Sequence, residues 1–193
     1  RNVPVPPYSG CTFNGASLKT ATYGGSYTSP TVFCNGLLIN SGSTITLNPG
    51  IYIVDRGEFR VNGGGAIRGS GVTIVLTSST GSDYAYASFN GQSIVELVAP
   101  STGPTAGMVL YQDRRAPSTG ENILNGGAGQ SLTGAVYFPN QTIRFSGGSP
   151  TTMGGCTQLI GGAINLRGQS NFQMNCAGRG VVRPGAQPVS VVE

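Results

Sequence analysis

The sequence predicts an all-β fold, a small right-handed parallel β-helix with an irregular N-terminal cap. Three observations point there. Between Leu47 and Thr77 the chain reads "LNPGIYIVDRGEFRVNGGGAIRGSGVTIVLT", short β-rich runs broken by glycine clusters, with no helical period. The runs start near Thr44, Ile51, Glu58, Gly65 and Val72, about seven residues apart. The junctions do not take the two-residue form of a primed hairpin turn.

Three such segments take 21 residues, so Ile51 falls on Val72, Ile53 on Ile74 and Val54 on Val75. A chain that turns three corners and returns above itself stacks like residues on like. Ile51, Ile53, Val72 and Ile74 are therefore expected to point inward in vertical register. The competing architecture is a β-sandwich of short strands.

In chain order, residues 1–40 read as an irregular cap, with Pro4, Pro6, Pro7, Gly24-Gly25 and Pro30, pinned by Cys11 and Cys34. A solenoid needs such a cover, because an open terminal coil is an unpaired edge. Residues 41–193 form the solenoid domain. Its regular coils are 41–77, and a looser stretch follows to residue 130. "RRAPSTGEN" from Arg114 reads as a protruding loop. A late repeat sets "GAVYFPNQTIRF" from Gly134 against "GAINLRGQSNFQM" from Gly162, an offset of 28 that pairs Val136 with Ile164 and, after one insertion, Phe145 with Met174.

Composition agrees with this class. Of 193 residues, 32 are Gly, only 9% are charged and a single Lys is present, which leaves no material for long Glu/Lys helices. The formal charge of +4 comes from Arg spread along the chain, not from a basic face interleaved with aromatics, so nucleic-acid binding is not indicated. No run of 18 apolar residues exists to span a bilayer. No signal peptide is visible and the first residue is Arg1, so a mature or excised piece of a longer precursor is expected.

The four cysteines are Cys11, Cys34, Cys156 and Cys176. Zinc would need Cys or His at short spacing, and the chain has no His and no C-x-x-C. Local disulfides, Cys11–Cys34 and Cys156–Cys176, are expected instead, which implies an oxidising compartment: the periplasm, the cell surface or outside.

Little in the inventory suggests catalysis, and no cofactor or metal is expected. Nucleophile triads lack a His base. The carboxylates are Asp55, Glu58, Asp83, Glu96, Asp113, Glu121 and Glu193. Asp55 and Glu58 flank a corner at Gly57 and read as a solvated charged turn, set against the alternative of an acid–base pair in a polysaccharide-active β-helix enzyme. Exposed aromatics and Arg suit protein contacts. The candidate partner-contact residues are Tyr84, Tyr86, Tyr111, Arg114 and Arg115.

Four segments resemble the C-terminal region of TadG-like proteins of the Flp/Tad pilus system. They are Pro49-Gly50-Ile51-Tyr52, Gly69 to Leu76, Gly134 to Pro139, and Cys156 to Phe172. The likeness covers roughly residues 41–193, and its motifs are glycine turns with inward aliphatics. It implies a bacterial envelope protein, with a membrane anchor outside this chain, that works non-catalytically in pilus assembly or adhesion. The partners it implies are other pilus or envelope proteins. A glycan-binding adhesive domain is a further alternative.

Overall fold

The computed structural model describes residues 4–126, 130–147 and 156–168. Among them there is no helix, and the fold is all-β. The strands are β1 (Phe13–Leu18), β2 (Ala21–Tyr23), β3 (Thr31–Ile39), β4 (Thr44–Leu47), β5 (Gly50–Asp55), β6 (Glu58–Val61) and β7 (Ala66–Ser70). They continue as β8 (Val72–Thr77), β9 (Tyr86–Phe89), β10 (Ile94–Val98), β11 (Met108–Gln112), β12 (Glu121–Gly126), β13 (Gln130–Gly147) and β14 (Thr157–Gly168). Every pairing between these strands is parallel, so the antiparallel sandwich is not formed.

Pairing sorts the strands into three ladders. The first runs through Thr31, Tyr52, Ile74, Leu110, Val136 and Leu159. The second runs through Leu18, Ile39, Val61, Phe89, Leu124, Phe145 and Leu166. The third runs through Ala21, Ile45, Ile67, Val95 and Gln130. The chain visits them in that order on each circuit. β3 spans the first two ladders and β13 all three. The hydrogen-bonded path therefore closes, β11–β8–β5–β3–β6–β9–β12–β13–β11, a ring of eight parallel strands with additional strands attached.

The core lies where the ladders face one another. Ile39, Val61, Phe89, Leu124 and Phe145 are all buried in one column, beside Ile45, Ile67 and Val95. The first ladder is buried on its other face too. Ile51, Ile53 and Val75 join Val32, Tyr111 and Ala135 in a second cluster, covered by Val5 and Tyr8. Strands covered on both faces read as continuous apolar runs, and β5 and β8 are buried at every position.

That double burial corrects the expected register. β5 pairs with β8 at an offset of 22, Ile51 on Thr73 and Ile53 on Val75, not 21. A one-residue slip exchanges the two faces. Val72 and Ile74 do point into the core with Tyr52 and Val54, but Ile51 and Ile53 point to the outer cluster. An offset of 21 does hold between β3 and β5, Thr31 on Tyr52. The extra residue enters at the next corner. Two residues separate Cys34 from Leu37, whereas three separate their partners Asp55 and Phe59. The late repeat is corrected likewise: Val136 pairs with Leu159 and Ile143 with Ile164. Phe172 and Met174 lie outside the described residues.

The expected cap, residues 1–40, contains β1, β2 and β3, which all join the ladders. The irregular N-terminal piece covers the outer side of the first ladder through Val5 and Tyr8. Cys11 and Cys34 are bridged, Cα atoms 5.7 Å apart across a separation of 23 residues, a closure that contributes about 3 kcal/mol in the chain-entropy model. Cys156 is also disulfide-bonded, and its expected partner, Cys176, lies outside the described residues.

One corner repeats as a column. Asn40, Asn62 and Asn90 each accept at their carbonyl from the amide three residues on, from Ser43, Gly65 and Ser93. Their side-chain amides form a ladder, Asn90 Nδ2 to Asn62 Oδ1 at 2.8 Å and Asn62 Nδ2 to Asn40 Oδ1 at 3.0 Å. The third position of each turn has positive φ, Gly42 at 77°, Gly64 at 77° and Gln92 at 66°, which glycine adopts without strain.

Candidate functional site

The C-terminal ends of the first-ladder strands meet at one place. Cys34 stacks on Asp55, Asp55 on Thr77, and Asp113 follows β11 with its amide donating to the Leu76 carbonyl. A cleft of about 410 Å³ opens there, walled by Tyr8, the Cys11–Cys34 bridge, Asp55, Arg56, Ser79 and Arg115.

Asp55 and Asp113 are each 3% exposed. A buried carboxylate must be compensated, and both are. Asp55 Oδ1 accepts from Tyr8 Oη at 3.2 Å and Ser79 N at 2.6 Å, and Oδ2 accepts from Ser79 Oγ at 2.8 Å. Arg56 Nε lies 3.5 Å from Oδ2. Asp113 Oδ1 accepts from Arg115 N at 2.9 Å and Nε at 3.1 Å, and Oδ2 from Arg115 Nη2 and Thr77 Oγ1, both at 2.7 Å.

The electrostatics follow. Burial alone pushes the Asp113 carboxyl up, but the Arg115 and Thr77 hydrogen bonds together outweigh it and hold the group below its ordinary value. Its partner Arg115 is raised, chiefly by the hydrogen bond to Asp113. The Tyr8 phenol is pushed up to about 12, first by burial and then by the Asp55 charge and hydrogen bond. Arg56 sits at φ 67° beside Gly57 at 74°. A left-handed conformation costs a non-glycine residue about 1 kcal/mol or more. This corner also carries the extra residue of the circuit. Asp55 is thus buried, and the solvated-turn expectation for it is corrected: Tyr8, 47 residues away, covers it.

The five candidate contact residues separate. Arg115 lines the cleft with its side chain 67% exposed, and Tyr84 lies close enough to influence its charge. Tyr86 stands exposed on the second ladder, paired with Glu58. Arg114 is exposed, and its carbonyl accepts from Asn140 Nδ2. Tyr111 leaves the surface set. It is 1% exposed and stacks on Tyr137 at 5.7 Å, because the outer face of β11 is covered. The 113–120 loop does not simply protrude. Ala116 is buried, and Gln141 Nε2 donates to the Pro117 carbonyl at 2.9 Å. Gln141 Oε1 in turn accepts from Gln112 and Asn122, both fully buried.

Tyr8, Arg56, Ser79 and Asp113 did not stand out as a set in the sequence. A partial signal was present: "IVDR" and "YQDRR" close two strands of one ladder with Asp followed by Arg, although the arginine that holds Asp113 is Arg115, two residues on. Among the described residues no group of three or more His, Cys, Asp or Glu is placed to hold a metal ion. What the cleft offers chemically is the guanidinium donors of Arg56 and Arg115, beside the Tyr8 and Ser79 oxygens, whose protons go to Asp55.

No protein-family model matches this sequence, and no curated protein or solved structure matches it.

Proposed function

We propose that the chain is a non-catalytic interaction module of the bacterial envelope, folded as a right-handed parallel β-helix and working with Flp/Tad-type pilus components in assembly or adhesion. The observation that carries the non-catalytic part is the state of Asp55 and Asp113. They are the carboxylates beside the cleft, and every one of their oxygens accepts from a protein donor. A general acid needs a raised value and a proton to give, whereas Asp113 is held low.

The cyclic order of the three ladders supports the helical reading of the fold, with each circuit forming one coil. The Cys11–Cys34 bridge supports an oxidising location, periplasmic or at the cell surface. No helix among the described residues is long and apolar enough to cross a membrane. The pilus association rests on the resemblance to TadG-like proteins. Its described segments lie on ladder strands and their corners, with β5 and β8 buried throughout, which suits motifs that are structural and not catalytic.

Two measurements test this reading. Incubation with acidic and neutral bacterial polysaccharides should release no new reducing ends or unsaturated products. Turnover abolished by Asp55→Asn or Asp113→Asn would overturn the non-catalytic assignment. Immobilised protein should capture pilus components from envelope extract, with less captured after Arg114→Ala. Capture of no pilus component by the intact protein would remove the pilus association.

A further inference from the structure

We propose that the cleft beside Tyr8, Arg56 and Arg115 is an oxyanion-binding site, built to take the carboxylate or phosphate group of a ligand. This extends the interaction role to a ligand class and rests on that reading. The starting point is which groups remain available. Asp55, which also lines the cleft, and Asp113 are only 3% exposed, whereas the Arg115 side chain is 67% exposed. Two guanidiniums and two carboxylates cancel formally, but burial separates them in depth. The most exposed charge at the cleft is that of the Arg115 guanidinium.

The donors are equally one-sided. A guanidinium carries five N–H groups, and Arg115 directs Nε and Nη2 at Asp113. Its Nη1 edge and its outer face remain for a ligand. Arg56 lines the same cleft with its side chain 27% exposed, while its Nε is buried and has no hydrogen-bond partner among the described residues. It is 3.5 Å from Asp55 Oδ2, too far to be satisfied there. The Tyr8 and Ser79 hydroxyls give their protons to Asp55, so the guanidiniums are the donors left for a ligand. Oxyanions match paired guanidiniums, since planar or tetrahedral oxygens accept several N–H bonds at once. A cleft of about 410 Å³ is within the size range of small-ligand sites.

The experiment is titration calorimetry at low salt on the full chain with its disulfides intact. The probes are inorganic phosphate, a tri-uronate and a neutral trisaccharide. Saturable binding of the anions is expected, weakening with added salt, with no binding of the neutral sugar. Tighter binding of the tri-uronate identifies an acidic glycan as the source. Equal or tighter binding of phosphate identifies a phosphate-bearing ligand. Arg56→Asn keeps a residue that tolerates positive φ and should weaken binding at least tenfold. Arg68→Gln, which alters an exposed ion pair on the third ladder, should leave it unchanged. Arg115→Lys, which breaks the fork on Asp113, should weaken binding too. If it does not fold, Arg56→Asn alone decides. Absence of anion binding, equal binding of the neutral sugar, or unchanged affinity in Arg56→Asn overturns the proposal. A tri-uronate that binds and is cleaved would sink the non-catalytic reading and leave the cleft standing. No anion binding with undiminished capture of pilus components would sink the cleft alone.

Discussion

Replacing Ile53 and Val75 together tests the register at its most informative point. Both are fully buried, on adjacent strands, and directly paired in the outer cluster. Ile53→Ala removes three carbons, worth about 2.4 kcal/mol of transfer at about 0.8 kcal/mol each, and the cavity left behind brings the cost to about 2–5 kcal/mol. Val75→Ala removes two carbons and should cost about 2–3 kcal/mol on the same arithmetic. The pair shares one cavity, so the double variant should deviate from additivity by at least about 0.5 kcal/mol. Ile53→Ala with Ile74→Ala is the control. Ile74 lies on the opposite face, in the inner core, and these two losses should add to within about 0.5 kcal/mol. Urea unfolding under oxidising conditions measures all of the variants, with midpoints converted through a common slope. Coupling between Ile53 and Ile74, with none between Ile53 and Val75, would restore the 21-residue register and refute the two-faced first ladder.

Three further outcomes are expected. The Asp113 carboxyl is lowered in the folded protein, so its contribution is fully present above its ordinary value of 3.8 and is lost as pH falls below it; acid titration of the urea midpoint should show this loss, and Asp113→Asn should flatten it. Tyr8, Tyr52 and Tyr111 are pushed up to about 12, each chiefly by burial, so phenolate absorbance should lag behind that of the unfolded chain. Because these folded-state values are raised, the tyrosines favour the fold fully below about pH 10 and that contribution fades as pH climbs toward 12, which alkaline unfolding midpoints will register. Gln141→Leu strips the buried amide set of its shared acceptor and frees the Pro117 carbonyl, so thermal unfolding should show a loss of about 2–4 kcal/mol, with the 113–120 loop more open to proteolysis.

Much of the strand framework was legible. The five runs expected near Thr44, Ile51, Glu58, Gly65 and Val72 correspond to strands starting at Thr44, Gly50, Glu58, Ala66 and Val72. Glycine clusters and β-branched runs are local signals, read within a few residues. The cleft was harder to see. Asp55 was visible as an acid at a corner, but its burial depends on Tyr8 and Ser79, which approach from 47 and 24 residues away. The exposure expected of Tyr111 failed for the same reason. Nothing in "MVLYQ" says that the second face of the strand is covered, and all five positions are buried.

By itself, then, the sequence determined the local matters: an all-β chain, short strands punctuated by glycine corners, and cysteines spaced for a local bridge between Cys11 and Cys34. Only the tertiary structure decided which residues stack. Offset is the sum of strand and corner lengths in a circuit, and one additional residue at Arg56-Gly57 sets Val75, not Ile74, on Ile53 in the outer cluster. Period-two alternation, which ordinarily reveals the inward face, vanishes where both faces are apolar. That is the case in the strands whose ends build the cleft. Bringing Asp55, Asp113, Arg56 and Arg115 to one end of one ladder required the register first, and the register is a property of stacked circuits, not of any seven-residue segment.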